Sequence, residues 1–340
     1  MNKTTVLPDW SRAHGGPILS GRIRQSAEDF VVTEVLGFEP DGDGEHDFLW
    51  IEKQNTNTLW LAQQLADHAR IAARDVGFAG MKDRHAITRQ WFSVRRPGGT
   101  PANWSALEVE GATILDISRN SRKLRRGAHS GNQFRIAVRE SGDCLQKTKG
   151  ELVQRRIKTI GEQGVPNYFG EQRFGREGGN LGLAEALFAG KRLNRDKRSI
   201  ALSSARAWLF NHVLQSRVVA GTWSELRAGD IASLDGSGSV FTVEEADETI
   251  KKRCQELDLH PSGPLWGESD DHNASEIAVV EKFPTLVAGL EKQTKAARRS
   301  LRLAVRDLQA TLERDALVLD FYLVRGGFAT AVLREVADYS

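Results

Sequence analysis

Residues 76–94 read VGFAGMKDRHAITRQWFSV. Both flanks are β-branched and aromatic enough to be extended, so the charged middle falls on their connection. Gly77 and Gly80 bracket a turn, and Lys82, Asp83, Arg84 and His85 follow it. Glycine lets a backbone approach its neighbours closely, and cations beside a carboxylate hold it ionised. An ionised, positioned aspartate can serve as nucleophile or base, which makes this a candidate active-site loop. An aspartate in a loop is also a common turn former or surface charge, and spacing alone does not separate the two readings.

Outward from this loop, EDFVVTEVL (28–36) and HDFLWIEKQ (46–54) read as strands around the turn-rich GFEPDGDGE. NTNTLWLAQQLADHARIA (55–72) predicts a helix with Asn57 or Thr58 as N-cap and an apolar face of Leu59, Ala62, Leu65, Ala66 and Ala69. QWFSV, ATILDIS and NQFRIAVRE are further strands, and KTKGELVQRRIKTIGEQG (147–164) is a helix ending at Gly164. Connections this short favour antiparallel pairing. A long helix is expected over 198–220 and more helices over 274–303; AVRDLQATLE and ALVLDFYLV then return to strands, with a turn and short helix in RGGFATAVLREV. About 35 trailing residues are too few for a core of their own. The expected class is therefore α+β: one mixed, mainly antiparallel sheet flanked by helices, interrupted by a mostly helical insertion and completed by the C-terminal strands.

The 340 residues are 40% hydrophobic and 27% charged, and no apolar run reaches a membrane span. The N-terminus lacks a signal-type stretch, and two cysteines, Cys144 and Cys254, make no disulfide framework. A cytoplasmic protein is expected. The cysteines form no CxxC and the histidines no HxH or HxxxH pair, which argues against a structural zinc site. GFAGMKDR fails as a phosphate loop because its glycines are too close and Asp83 follows the lysine. GREGGN is no dinucleotide fingerprint either.

Net charge is only +2, but seven Lys or Arg residues and no acid lie between Ser118 and Arg139. Further basic runs occupy 191–206 and 292–306, while Val243 to Glu276 holds ten acids against three bases. Each run alone reads as a solvated face; three together point to a phosphate-rich partner. In NYFGEQRFG, Arg173 sits among Tyr168, Phe169 and Phe174 and can face a phosphate, although such aromatics also plug domain junctions. In HSGNQFRI, Asn132 and Phe134 share one side of an extended chain. Asn132 can meet a base edge and Phe134 can stack on a base, worth about 1–3 kcal/mol, or pack in the core.

AGMKDRHAITRQWFSV resembles the aspartate-bearing motif of the TruD family of tRNA pseudouridine synthases. GNQFRI, VPNYFGEQRFG and SSARAWLFN resemble its later motifs, and the likeness runs from EDFVVTE to GGFATAVLRE. The resemblance implies isomerisation of a uridine in tRNA, at position 13 by the family's usual name, with neither cofactor nor required metal. It implies Asp83 as the catalytic residue, Phe30, Asn132 and Phe328 around the target base, Phe134 beside it, and Arg24 where the family commonly carries lysine. Lys82 joins Arg24 as a substrate-side cation. A guanidinium is planar and forked where an ammonium is not, so Arg24 keeps the charge but changes the geometry of pairing. The implied organisation is a discontinuous catalytic domain, 1–157 and 307–340, around a family-specific insertion at 158–306. The implied partner is tRNA, with no membrane association and no obligatory protein partner evident. Arg122, Lys123, Arg125, Arg126 and Arg173 are candidates to grip its backbone. The same scaffold without turnover would be an RNA-binding or RNA-folding protein. A hydrolase pairing Asp83 with His85 is disfavoured, because i and i+2 side chains rarely converge.

Overall fold

The computed structural model describes residues 7–96, 102–140, 147–269 and 271–339; Cys144 lies outside them. The chain divides into two compact units, Ile18–Ile157 with Arg306–Gly327 and Ala337–Ser340, and Met1–Pro17 with Lys158–Val305 and Phe328–Val336.

In the first unit a mixed sheet runs in the order Arg306–Leu312, Ala316–Val324, Gly131–Glu140, Phe30–Val35, Ile87–Arg95, His46–Gln54 and Ala112–Asn120. Strands from both ends of the chain thus share one sheet, and Ala316–Val324 lies in continuous antiparallel register with Gly131–Glu140. Phe30–Val35 and Ile87–Arg95 pair in parallel. The crossover between them is long enough to hold the His46–Gln54 strand and a helix, as parallel neighbours require.

That helix, Thr58–Ala69, starts where the Asn57 side chain accepts from the backbone N–H groups of Leu59 and Trp60. Its buried face is Thr58, Leu61, Ala62, Leu65 and Ala66. Leu59, expected on that face, is instead 54% exposed, and Leu61 takes its place. The helix packs on Leu49, Ile51, Phe92 and Val94 of the sheet, and that packing selects the rotation among similar apolar stripes.

The second unit is built around the helix Arg195–Val219, whose Ala201, Ala205, Trp208, Leu209 and Phe210 lie in a core with Trp10, Tyr168 and Phe174. It also holds a four-stranded sheet in the order Val240–Thr242, Ile231–Leu234, Leu259–Leu265 and Ala297–Ser300. The helices expected over 274–303 are therefore two short ones, Ala274–Val280 and Pro284–Glu291, followed by strands. Arginine side chains of this stretch turn into the unit. Arg298 forms a buried pair with Glu276 at 2.6 Å, and Arg302 donates to the carbonyls of Cys254 and Leu259 at 2.6 and 2.7 Å. Arg299 lies 4.4 Å from the Phe169 ring centroid. Much of the third basic run thus supports this unit from within instead of forming a solvated phosphate-binding face.

Candidate active site

Asp83 lies on the loop between the strands Val76–Phe78 and Ile87–Arg95. Gly77 is required there: a Cβ would stand 2.3 Å from the Leu124 carbonyl oxygen. Gly80 is not so constrained, since its nearest neighbour would be His129 Cε1 at 3.6 Å. The Asp83 side chain is 51% exposed and accepts from Arg24 Nη2 at 2.7 Å. The Arg24 guanidinium also lies over the Phe30 ring, 4.2 Å from its centroid. Arginine thus reaches the carboxylate with one edge and uses its plane on the aromatic ring, a combination that an ammonium does not reproduce. Its backbone, at φ 59°, occupies the left-handed region that most L residues avoid.

Below the loop, Lys53 is fully buried and donates to the carbonyl oxygens of Thr56 and Asp83 at 2.8 and 2.9 Å. Burial pushes its ammonium down to about 8; Lys82 adds to the shift and Asp83 opposes it. Asp83 is therefore held twice, at its carboxylate by Arg24 and at its backbone by Lys53.

Alternation along the strands places Phe30, Val32 and Glu34 on one face of the sheet. In register with them are Ile136, Phe134 and Asn132 of Gly131–Glu140. Lys82 Nζ crosses this face to meet Glu34 Oε2 at 2.8 Å and Asn132 Oδ1 at 2.7 Å. The second Glu34 oxygen accepts from the Trp91 N–H at 3.2 Å. Burial pushes the Glu34 carboxyl up, and the Lys82 ammonium and the Trp91 N–H oppose that shift. The Lys82 backbone N–H donates to Thr58 Oγ1 at 3.2 Å, Thr58 Oγ1 donates to Gln90, and Gln90 donates to the Gly80 carbonyl. The loop carrying the aspartate is thereby tied at Gly80, Lys82 and Asp83. His129 has its pKa lowered to about 4 by burial, with Lys82 and Arg325 contributing, so it is neutral at pH 7.

The sheet unit brings together Arg24, Phe30, Lys82, Asp83, Asn132 and Phe134. Lys82, expected to meet substrate, is an internal side chain here, only 5% exposed. Phe134 is buried and stacked on Phe321 at 5.3 Å. Arg122, Arg125 and Arg126 are exposed on the segment between Ala112–Asn120 and Gly131–Glu140. Arg126 lies over the Phe78 ring, and Lys123 donates to the Arg74 carbonyl. Arg173 and Phe328 belong to the other unit, where both pack with Phe169. Sequence reasoning missed Glu34, Lys53, Thr58 and Gln90. The signal was present: alternation puts Glu34 in line with Phe30 and Val32, and Lys53 in line with Leu49 and Ile51. Among the described residues no group of three or more His, Cys, Asp or Glu could hold a metal, and no helix is long and apolar enough to cross a membrane.

The chain superposes on a crystal structure of the putative tRNA pseudouridine synthase D (TruD) from Methanosarcina mazei with a TM-score of 0.75, covering 98% of this chain and 96% of that one at 21% identity. This likeness defines the fold class: an α+β architecture shared with that structure. The family model described as tRNA pseudouridine synthase D (TruD) matches residues 13–188 and 182–336. A tRNA pseudouridine synthase D of Methylococcus capsulatus is 45% identical over 97% of this chain and 95% of its own length. One from Chromohalobacter salexigens is 43% identical over 100% and 99%. The chain belongs to the tRNA pseudouridine synthase D (TruD) family.

Proposed function

We propose that this protein isomerises uridine to pseudouridine in tRNA, at position 13, with Asp83 acting on the ribose of an extruded nucleotide. The observation that carries this reading is the doubly held Asp83, whose half-exposed carboxylate is fixed by Arg24 while Lys53 fixes its backbone. The reaction breaks the N1–C1′ bond, turns the uracil and joins C5 to C1′; the C5 proton leaves and N1 gains one, so no co-reactant is consumed. Asp83 takes part either as nucleophile at C1′ or as base at C2′. Asn132 lines the sheet face beside it and serves as a contact for the base; Phe30 and Phe134, only 3% and 7% exposed, are assigned to the base by family likeness. Phe328 is assigned to the base by family likeness alone.

The catalytic domain is assigned to 1–157 and 307–340 and the family-specific insertion to 158–306, although Met1–Pro17 and Phe328–Val336 fold into the same compact unit as Lys158–Val305. Support comes from Arg306–Leu312 and Ala316–Val324, which complete the sheet begun by the N-terminal strands. The protein works in the cytoplasm on tRNA, without an obligatory protein partner.

Lifting the target from its stack costs a few kcal/mol, which interactions with the RNA backbone offset. Arg122, Arg125 and Arg126 are exposed and near the loop, whereas Arg119 and Arg139 are paired to Asp43, Asp29 and Asp315. Reversing Arg122 and Arg125 to glutamate lowers the slope of log affinity against log salt by about 0.7–0.9 for every phosphate that the protein no longer neutralises. An unchanged slope rejects this assignment. The function itself is tested by incubating the protein with unmodified tRNA transcripts that carry or lack uridine at position 13 and mapping pseudouridine. Tight binding without any pseudouridine would instead identify a non-catalytic RNA-binding protein.

A further inference from the structure

The Glu34 and Lys82 side chains are 0% and 5% exposed, too enclosed to meet an RNA themselves. An ammonium has three donors and no acceptor. The Asn132 atom 2.7 Å from Lys82 Nζ is therefore the carbonyl oxygen Oδ1, because turning the amide over would set N–H against N–H. Asn132 is partly exposed, and its Nδ2 donates to no acceptor among the described residues.

We propose that the buried Glu34–Lys82 pair is a positioning device that fixes the Asn132 amide with Nδ2 turned outward, so that Asn132 meets the target base only as a hydrogen-bond donor. Glu34 lies opposite Asn132 in the strand register and supplies the charge that keeps Lys82 in place. The other Glu34 oxygen is held by the Trp91 N–H, and the Lys82 backbone is held by Thr58, so neither end of the pair drifts. A donor in this position suits uracil, whose O2 and O4 accept. It opposes the exocyclic amine that cytosine carries in place of O4. A freely turning amide would satisfy either base, so the buried pair converts an ambidextrous side chain into a one-sided reader. The reading rests on Asn132 touching the target base.

The test is a double-mutant cycle on unmodified tRNA transcript, joined to a measurement that needs no turnover. Lys82→Met should lower kcat about tenfold while KM changes less than about twofold, since the interaction removed is made at the base and not along the backbone. In an Asn132→Ala background it should add less than about twofold, because residues acting through one another are not additive. Glu34→Gln keeps the shape of the pair and should give a smaller loss with the same non-additivity, a control should Lys82→Met fold poorly. The Asn132 side-chain amide NMR signal, assigned by its absence in Asn132→Ala, should broaden or shift in both Lys82→Met and Glu34→Gln. Multiplying kinetic losses, or an unmoved amide signal, would overturn the proposal. If the wild type makes no pseudouridine, the function falls, and the amide signal still decides whether the pair orients Asn132.

Discussion

Asp83→Asn is expected to abolish pseudouridine formation, by about four orders of magnitude or more, while changing tRNA affinity by less than about twofold. The amide is nearly isosteric with the carboxylate. Its oxygen can still accept from Arg24, and its backbone carbonyl still receives Lys53, so the loop keeps its shape. What disappears is the anionic oxygen, and with it both chemical options, attack at C1′ and proton removal at C2′. The measurement is pseudouridine mapped on transcript at a fixed time, beside filter binding of the same variant. Turnover within tenfold of wild type would show that Asp83 is only a turn residue with a cationic neighbour. Loss of binding and turnover together would show that the loop had collapsed, and Asp83→Glu, which retains the charge, would then separate shape from chemistry.

Lys53→Met is expected to lower kcat about 10- to 100-fold without touching substrate, since it frees the backbone of the residue that must be aimed, and a misplacement near 1 Å costs that much. It also removes a pH dependence of stability. The folded ammonium releases its proton near pH 8, whereas in the unfolded chain it does so near its ordinary value of 10.5. Between those values the unfolded chain binds the extra proton, so wild-type stability rises with pH across that window. At 1.36 kcal/mol per pK unit the rise is on the order of 3 kcal/mol. Below about pH 8 both states carry the charge and the contribution is constant. Urea unfolding at pH 7.5 and pH 10 should show the variant losing that rise relative to wild type, against the background of other titrating groups common to both. Activity should not fall through pH 8 on account of Lys53, because a neutral amine retains two N–H donors for its two carbonyl acceptors. Equal pH dependence in the two proteins would place the Lys53 proton elsewhere.

Most of the sheet was legible from local chemistry. Alternating β-branched and aromatic residues marked Phe30–Val35, His46–Gln54, Gly131–Glu140 and Ala316–Val324, and Asn57 or Thr58 marked the start of its helix. These signals survive because alternation, capping and turn chemistry act over a few residues and need no distant partner. The loop bearing Asp83 was legible for the same reason, as glycines and charges joining two extended runs.

The pairing of charges was not legible in this way. Nothing in FVVTEV says that Glu34 meets Lys82, nor does anything near Lys53 name the Asp83 carbonyl, because each of these bonds joins residues that only the strand register brings together. Leu59 and Leu61 were equally apolar in the sequence, and the packing partner of the helix chose between them. Likewise Arg298 and Arg302 looked like a cationic surface until their acceptors, Glu276 and the carbonyls of Cys254 and Leu259, were in place. The sequence by itself determined the main strands of the larger sheet, the longest helices and the loop that carries the carboxylate. Only the tertiary structure decided which charges face solvent and which hold that loop, because the free energy of a charge depends on burial and on partners far along the chain.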